Sequence, residues 1–359
     1  MSHIIRHIRV VPELRSSLLE EPSPADLILW RSLKPDTDRG LVVQNAYVQR
    51  FTWKGFVLVL VRNPIVDIEL PEPLWAKQVP FLLALCAFTT VLAPRATRST
   101  YALEVLPLAE RFRLPSGSGW GAISIIWRCI LHIYAWLCPR MFDYVGYATR
   151  DAELAYTQSF AMSRVRTVTL DPWRGSCACA TTERQKIFLF AADPSPRKGF
   201  DLLLAAWASS GLSEGGWRLR CVLPVASLPN SVRIGTAELL LSPSRAALHA
   251  EFAASYATVL PSRREGRWKE QIGLSLPEGR SHGNWLICST DVPLSLEIER
   301  ESLGRVFESG SVIELASALS AVAAEWPALP PAAPKGHPRE RFIAGYRERF
   351  PAGYGVRNG

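Results

Sequence analysis

The chain has 359 residues, 48% of them hydrophobic and 21% charged, which suits a globular protein with room for two domains of ordinary size. Seven cysteines, at positions 86, 129, 138, 177, 179, 221 and 288, form no framework. An odd, scattered set argues against a secreted disulfide scaffold and for a reducing, cytoplasmic setting. The net charge of +8 fits a merely basic surface or contact with anionic lipid or an anionic small molecule.

The N-terminal run Met1-Ser-His-Ile-Ile-Arg-His-Ile-Arg9 has no apolar core long enough for a signal peptide. Strands are predicted at Asp26–Trp30, Gly40–Gln44, Phe56–Val61, Thr90–Ala93, Tyr144–Ala148 and Val165–Leu170, and their spacing reads as an open α/β sheet. Asp36-Thr-Asp38 has turn composition and is read as a turn, not as a metal motif. Pro80–Ala93 is apolar but too short to span a membrane. Gly121–Cys138 is broken by Arg128 and His132, so it reads as a buried or interfacial helix with His132 as a core histidine. Pro115–Gly119 is a flexible loop, and Asp171–Thr182 lacks periodicity and reads as a linker between domains. Within it, Cys177-Ala-Cys179 has no second pair and no His at ligand spacing, so no zinc site is expected.

The second half repeats the alternation. Strands are predicted at Ile187–Ala191, Trp217–Leu223, Ala257–Leu260 and Trp285–Ser289, and helices at Phe200–Ala208, Ser244–Ala254 and Val312–Ala324. This reads as a doubly wound nucleotide-binding domain with its ligand at the carboxyl ends of the strands. A Pro/Ala-rich connector, 327–338, leads to a helical stretch at 340–350. No Gly-x-Gly-x-x-Gly follows an early strand, which argues against a nicotinamide-dependent enzyme.

Chemistry concentrates in Glu270-Gln-Ile-Gly-Leu-Ser-Leu-Pro-Glu278, followed by Ser281-His-Gly283. A helix starting near Gly273 puts Glu270 in the preceding loop and Glu278 about a turn and a half inside. Both carboxylates can then reach one polar ligand, with backbone N–H groups at the helix start facing it. Lys198, in Asp193-Pro-Ser-Pro-Arg-Lys-Gly199, follows a strand and opens a helix, a good place for a cation that holds a diphosphate. His282 reads as a C-terminal cap with Gly283 left-handed.

The run from Leu260 to Thr290 resembles the donor-site signature of family-4 retaining glycosyltransferases: Pro261-Ser262, then Glu, seven residues, Glu with Ile-Gly-Leu inside, then Ser-His-Gly and an apolar strand. The resemblance covers residues 186–325 well and 1–170 thinly. It implies the GT-B fold, α/β with two Rossmann-like doubly wound domains facing across a cleft: an atypical acceptor-side domain at 1–175, a nucleotide-sugar domain at 183–332, and a C-terminal helix at 338–352 crossing back to the first domain. It further implies Glu270 and Lys198 as catalytic residues. Glu278 would bind the ribose, and Arg197, Arg263 and the backbone of Ile272, Gly273 and Leu274 would complete the donor site. The family's further Arg upstream falls near Ala192 here, so Arg197, Arg263 or Arg264 would substitute. Leu92–Leu103 resembles a segment of the family that makes Arg95 an acceptor-side residue, and Tyr147–Glu153 resembles its Thr/Ser…Glu turn.

The implied function is transfer of a hexosyl group from a nucleotide-diphosphate sugar to a saccharide or lipid-linked acceptor in cell-surface polysaccharide or glycoconjugate assembly. No essential metal, no other cofactor and no nucleic acid is implied. The protein would be cytoplasmic, with peripheral contact at the inner face of an anionic membrane. The family's Gly-rich first loop is absent, since no Gly-Gly occurs before Gly215-Gly216, and Trp285 stands where a small residue is usual. A catalytically silent GT-B protein, and a GT-B epimerase or phosphorylase, therefore stay open.

Overall fold

The computed structural model describes residues 4–19, 25–34, 37, 39–112, 121–170, 173, 177, 183–224 and 235–332. Asp36, Asp38, the loop at 115–119, most of the 171–182 linker and the expected C-terminal helix at 338–352 lie outside the described residues. The chain divides into two compact units, 1–171 and 172–338.

The first unit runs β1 (His7–Leu14), α1 (Ser16–Leu19), β2 (Leu27–Leu33), α2 (Arg39–Gln44), β3 (Val48–Arg50), α3 (Trp53–Arg62), β4 (Asp67–Glu69) and α4 (Val79–Leu92). It continues with β5 (Thr97–Ala102), α5 (Leu108–Arg111), α6 (Gly121–Leu137), β6 (Tyr144–Tyr147), α7 (Arg150–Ser159) and β7 (Arg166–Thr169). Its seven strands are parallel in the order β3-β2-β1-β4-β5-β6-β7. The main core joins β1, β2, β4 and β6 to α3, α4 and α7 through Ile8, Leu29, Phe56, Ile68, Leu82, Val145 and Tyr156.

Three stretches expected to be strands are helical. Phe56–Val61 lies in α3, where Thr52 caps the start by accepting from Gly55 N at 3.1 Å and Phe56 and Leu60 bury one face. Gly40–Gln44 lies in α2. Thr90–Ala93 closes α4, where the Thr89 and Thr90 hydroxyls donate to the Cys86 carbonyl at 3.0 and 2.7 Å. Short apolar runs rich in β-branched residues carry no periodicity that separates the two states; the Thr52 cap favours helix in α3, and the buried face of Phe81, Leu82, Leu85 and Cys86 favours it in α4. His132 is also corrected. It stands exposed on α6, its Nδ1 2.7 Å from the Arg128 carbonyl.

The second unit comprises β8 (Gln185–Ala191), α8 (Phe200–Ser210), β9 (Arg218–Leu223), β10 (Glu238–Leu241), α9 (Arg245–Ala254) and β11 (Ser255–Leu260). After these come α10 (Ser275–Ser281), β12 (Trp285–Ser289), α11 (Ser295–Arg300), β13 (Gly304–Phe307) and α12 (Val312–Ala324). Its six strands are parallel in the order β10-β9-β8-β11-β12-β13. Chain direction across the sheet reverses between β8 and β11, the switch point at which such sheets leave a crevice beyond their carboxyl ends. Ile187, Phe188, Leu189 and Phe190 of β8 are fully buried, as expected of a strand covered on both faces. Trp173, read from sequence as part of a linker, is buried in this unit's core beside Leu260, Leu276 and Leu286.

Candidate functional site

The loops that leave the carboxyl ends of β8, β11, β12 and β13 meet at the switch point. After β8, a single 3-10 turn at Pro196–Lys198 ends in Gly199, whose φ of +67° starts α8. A Cβ at Gly199 would overlap the Pro261 carbonyl oxygen at the end of β11, so only glycine lets the two loops touch. Arg263 N donates to the Arg197 carbonyl at 2.9 Å, a second tie between them. Beyond β12, Asp291 accepts from Arg264 N at 2.8 Å and from the Ser309 hydroxyl at 2.6 Å, joining the loops after β11, β12 and β13.

Glu270 and Lys198 form an ion pair across this junction, and the Ser262 hydroxyl donates to the same Glu270 oxygen at 3.0 Å. The Ser262 carbonyl in turn accepts from the Ser289 hydroxyl. Trp268 lies under both cations of the β8 loop, 4.6 Å from the Arg197 guanidinium and 5.3 Å from the Lys198 ammonium. Such stacking orients a cation without neutralising it. Arg197 also meets Asp193 at 3.5 Å, and Arg263 turns to Asp201 at 2.9 Å.

Gly273 carries φ +69° and is packed against Leu260, which lets the chain bend sharply into α10. Leu274 caps that helix without a side-chain hydrogen bond. Pro277 sits in the first turn, where a missing N–H costs nothing. Gly279 is needed because a Cβ there would overlap the Thr258 hydroxyl of β11. Glu278 is buried and its Oε1 lies 2.7 Å from Arg245 Nη2 of α9.

His282 is the C-cap of α10 and Gly283 follows at φ +75°. Its Nδ1 lies 2.7 Å from the Glu278 carbonyl and its ring stacks on Phe252; burial holds its imidazole below the usual range. Arg184 grips the same corner, donating to Asn284 Oδ1 and the Ser255 carbonyl, each at 2.5 Å, and to the His282 carbonyl. Trp285, unusual by resemblance, is a core residue whose Nε1 donates to the Ala328 carbonyl at 2.9 Å.

The expected residues Lys198, Arg197, Arg263, Glu270, Ile272, Gly273, Leu274 and Glu278 thus all lie on the β8 and β11 loops or on α10, which β11 leads into. Sequence reasoning missed Arg245 and Trp268. Arg245 follows the Ser244 cap of α9 and carried no motif; Trp268 stands between Arg267 and Lys269, an aromatic set among cations that could have marked it. Spacing also hid that the fold brings His249 and His282 to Cys177.

In the first unit, Arg95 sits exposed in the turn before β5, at the amino edge of the sheet and away from the carboxyl ends where ligands collect. Two other features occupy the carboxyl edge. A cavity of about 620 Å³ is lined by Arg31, Arg50, Lys77, Trp53 and Phe81. Buried Glu72 accepts from Leu103 N at 2.9 Å, Glu104 N at 2.6 Å and the Tyr156 hydroxyl at 3.1 Å. Burial, with Glu104 nearby, pushes the Glu72 carboxyl up to about 8.

The architecture is that of known proteins. HepE from Anabaena, solved with UDP, superposes with a TM-score of 0.63 at 13% identity over 90% of this chain and 91% of its own. The chain has the GT-B fold. A glycosyltransferase from Rickettsia africae gives 0.58 at 12% identity over 90% and 89% of the two chains. WaaG, described as a glycosyltransferase of lipopolysaccharide biosynthesis, gives 0.56 at 12% identity over 89% and 91%. No family model and no curated protein matches the sequence. Among the described residues of this GT-B chain, no helix is long and apolar enough to cross a membrane.

Proposed function

We propose that this GT-B protein is a retaining glycosyltransferase that moves a hexosyl group from a nucleotide-diphosphate sugar to a saccharide or lipid-linked acceptor. One observation carries the reading: two buried carboxylates, Glu270 and Glu278, are each held by their own cation, Lys198 and Arg245, beside the switch-point crevice. A carboxylate fixed in this way accepts hydrogen bonds from sugar hydroxyls. Glu278 binds the ribose diol and Glu270 the hexose. Lys198 keeps further N–H donors beyond the one given to Glu270 and turns them, with Arg197, to the diphosphate. The backbone of Ile272, Gly273 and Leu274 lines the same side, and no metal is required for the leaving group.

In the reaction the bond between the anomeric carbon and the phosphate oxygen breaks and the acceptor oxygen bonds to that carbon on the same face. The acceptor proton passes to the departing diphosphate. Lys198 stabilises the charge that grows there. UDP in HepE and UDP with glucose in the same protein support a nucleotide sugar as donor.

The basic, aromatic cavity around Arg31, Arg50, Lys77 and Trp53 suits an acceptor with an anionic group. On α6, Ile126, Ile130 and Ile133 stand exposed on one face, with Ile125 and Trp136 alongside. Together with the basic surface, this supports peripheral contact with an anionic membrane and a place in cell-surface polysaccharide or glycoconjugate assembly.

The test is a thermal-shift screen with UDP, GDP, ADP and dTDP and their common sugars. A ligand at a hundredfold its Kd stabilises the fold by about 2.7 kcal/mol. A base-selective shift, lost in Glu278→Ala, supports the site; no shift with any nucleotide overturns it. Binding without turnover would leave a silent GT-B protein.

A further inference from the structure

Three donor atoms converge behind the α10 corner. His249 Nδ1 lies 3.6 Å from Cys177 Sγ and 3.1 Å from His282 Nε2, and all three atoms fall within 4.8 Å of one another. Two imidazole nitrogens at about 2.05 Å from a tetrahedral zinc lie about 3.3 Å apart, and a nitrogen and a thiolate sulfur lie about 3.6 Å apart. The two measured separations match these edges.

Two of the three residues are tied to partners outside the cluster. His282 Nδ1 is engaged by the Glu278 carbonyl at 2.7 Å, which leaves Nε2 as the nitrogen facing His249 and Cys177. A ligating imidazole is commonly fixed by such a carbonyl. Phe252 stacks on the same ring, 5.4 Å between centroids and 20° between planes. Cys177 N donates to the Ser281 carbonyl at 2.8 Å, placing the cysteine beside the α10 cap. His249 lies on α9, one turn beyond Arg245. The three ligands thus come from the segment before β8, from α9 and from the end of α10.

We propose that the reduced chain holds a divalent cation of the zinc class between Cys177, His249 and His282, with a solvent molecule in the fourth position. In this structure Cys177 is disulfide-bonded, so the site belongs to the dithiol form. A cellular dithiol supplies two electrons, the S–S bond breaks, and two protons give two thiols. Cys177 then loses its proton as it binds the cation. A soft thiolate with two imidazoles selects zinc over the hard magnesium or calcium ions. The cation would clasp the chain entering β8 to α9 and to the corner behind Glu278. The assignment is independent of the donor-site reading, because its readout is the metal itself.

Cobalt(II) titrated into full-length protein under a phosphine reductant is the test. One equivalent should bind with visible ligand-field bands of tetrahedral intensity and a near-ultraviolet thiolate-to-cobalt band, and one equivalent of zinc should bleach both. Cys177→Ser should abolish the thiolate band, and His249→Gln should weaken cobalt binding by at least about tenfold. His132→Gln, which alters an exposed histidine of the first unit, should change neither. The oxidised chain should bind no cobalt. Absence of a 1:1 complex in reduced wild-type protein overturns the site, as does a complex without the thiolate band or equal binding by the oxidised chain. These outcomes need only wild-type protein, so a variant that fails to fold does not blunt the test.

Discussion

Arg245 Nη2 and Glu278 Oε1 lie 2.7 Å apart, joining the first turn of α9 to the middle of α10, with both side chains largely buried. The pair does two things. It offsets the desolvation of a carboxylate that the fold buries, and it fixes the direction in which that carboxylate presents its lone pairs.

Arg245→Ala leaves Glu278 buried without this cation. Breaking a buried pair from one side costs about 3–5 kcal/mol, and some solvent access here puts the expected loss at or below the lower end of that range. The thermal midpoint should fall and nucleotide affinity with it. Glu278→Gln should cost less stability, because no buried negative charge is left, yet should still weaken nucleotide binding. Equal stability losses in the two variants would count against the pairing as described.

Lys198 and Glu270 should separate differently. Lys198→Ala removes a diphosphate cation and should raise the dissociation constant for the bare nucleoside diphosphate by roughly tenfold or more, since charge-assisted hydrogen bonds are worth about 1.5–3 kcal/mol. Glu270→Gln keeps the shape and should leave bare nucleotide binding near wild type while transfer falls. Isothermal titration with the nucleotide and an initial-rate assay with the nucleotide sugar read the two effects apart. Parallel losses in both assays for both variants would refute the division of labour.

The second unit was far more legible in sequence than the first. Lys198-Gly199 and Glu270 to Gly283 combine side-chain chemistry with glycines that backbone geometry demands, at 199, 273, 279 and 283, so motif and structure are the same statement there. Arg245 carried no such signal because its partner is fixed by helix packing 33 residues away. The first unit failed where short apolar runs stood alone: 56–61 reads as a strand until Thr52 and the burial of Phe56 and Leu60 are seen, and 40–44 reads as a strand but lies in the short α2. Of the strands not predicted in this unit, β3 and β4 carry too few apolar residues in Val48–Arg50 and Asp67–Glu69 to show a period, while in β1 and β5 charged residues such as Arg9, Glu13 and Arg98 interrupt the apolar run. Cys177 with His249 and His282 is a purely tertiary cluster, invisible to any spacing rule.

Gly199→Ala tests the junction of the β8 and β11 loops. An alanine must adopt the left-handed region, at about 1–2 kcal/mol, and must also displace backbone at Pro261, which cannot rotate away as a side chain would. With overpacking of about 1–3 kcal/mol added, the thermal midpoint should drop measurably and nucleotide binding should weaken, since Lys198 precedes the shifted residue. Gly211→Ala is the control: its φ is +66° but its Cβ would meet nothing within 4 Å. It should show only the conformational part of the loss, and a matching loss in the two variants would argue against the close approach.

Glu72 gives the first unit a pH signature. Its Oε1 takes three donors, while Oε2 is buried with no hydrogen-bond partner among the described residues. The folded carboxyl is raised from 4.5 to about 8, chiefly by burial. Below about 4.5 both folded and unfolded chains hold this proton. Between about 4.5 and 8 the folded chain holds a proton that the unfolded chain has released, so this group's contribution to stability falls as pH rises, by at most about 1.4 kcal/mol per pH unit. Above about 8 the loss is complete and the slope ends. Glu72→Gln keeps an acceptor for the three donors and carries no charge at any pH. Relative to wild type, the Glu72→Gln protein should therefore gain thermal stability steadily from pH 5 to pH 8 and no further beyond it. Melting curves of the two proteins at pH 5, 6.5, 8 and 9 measure that difference, and a difference independent of pH would show that Glu72 is ionised throughout.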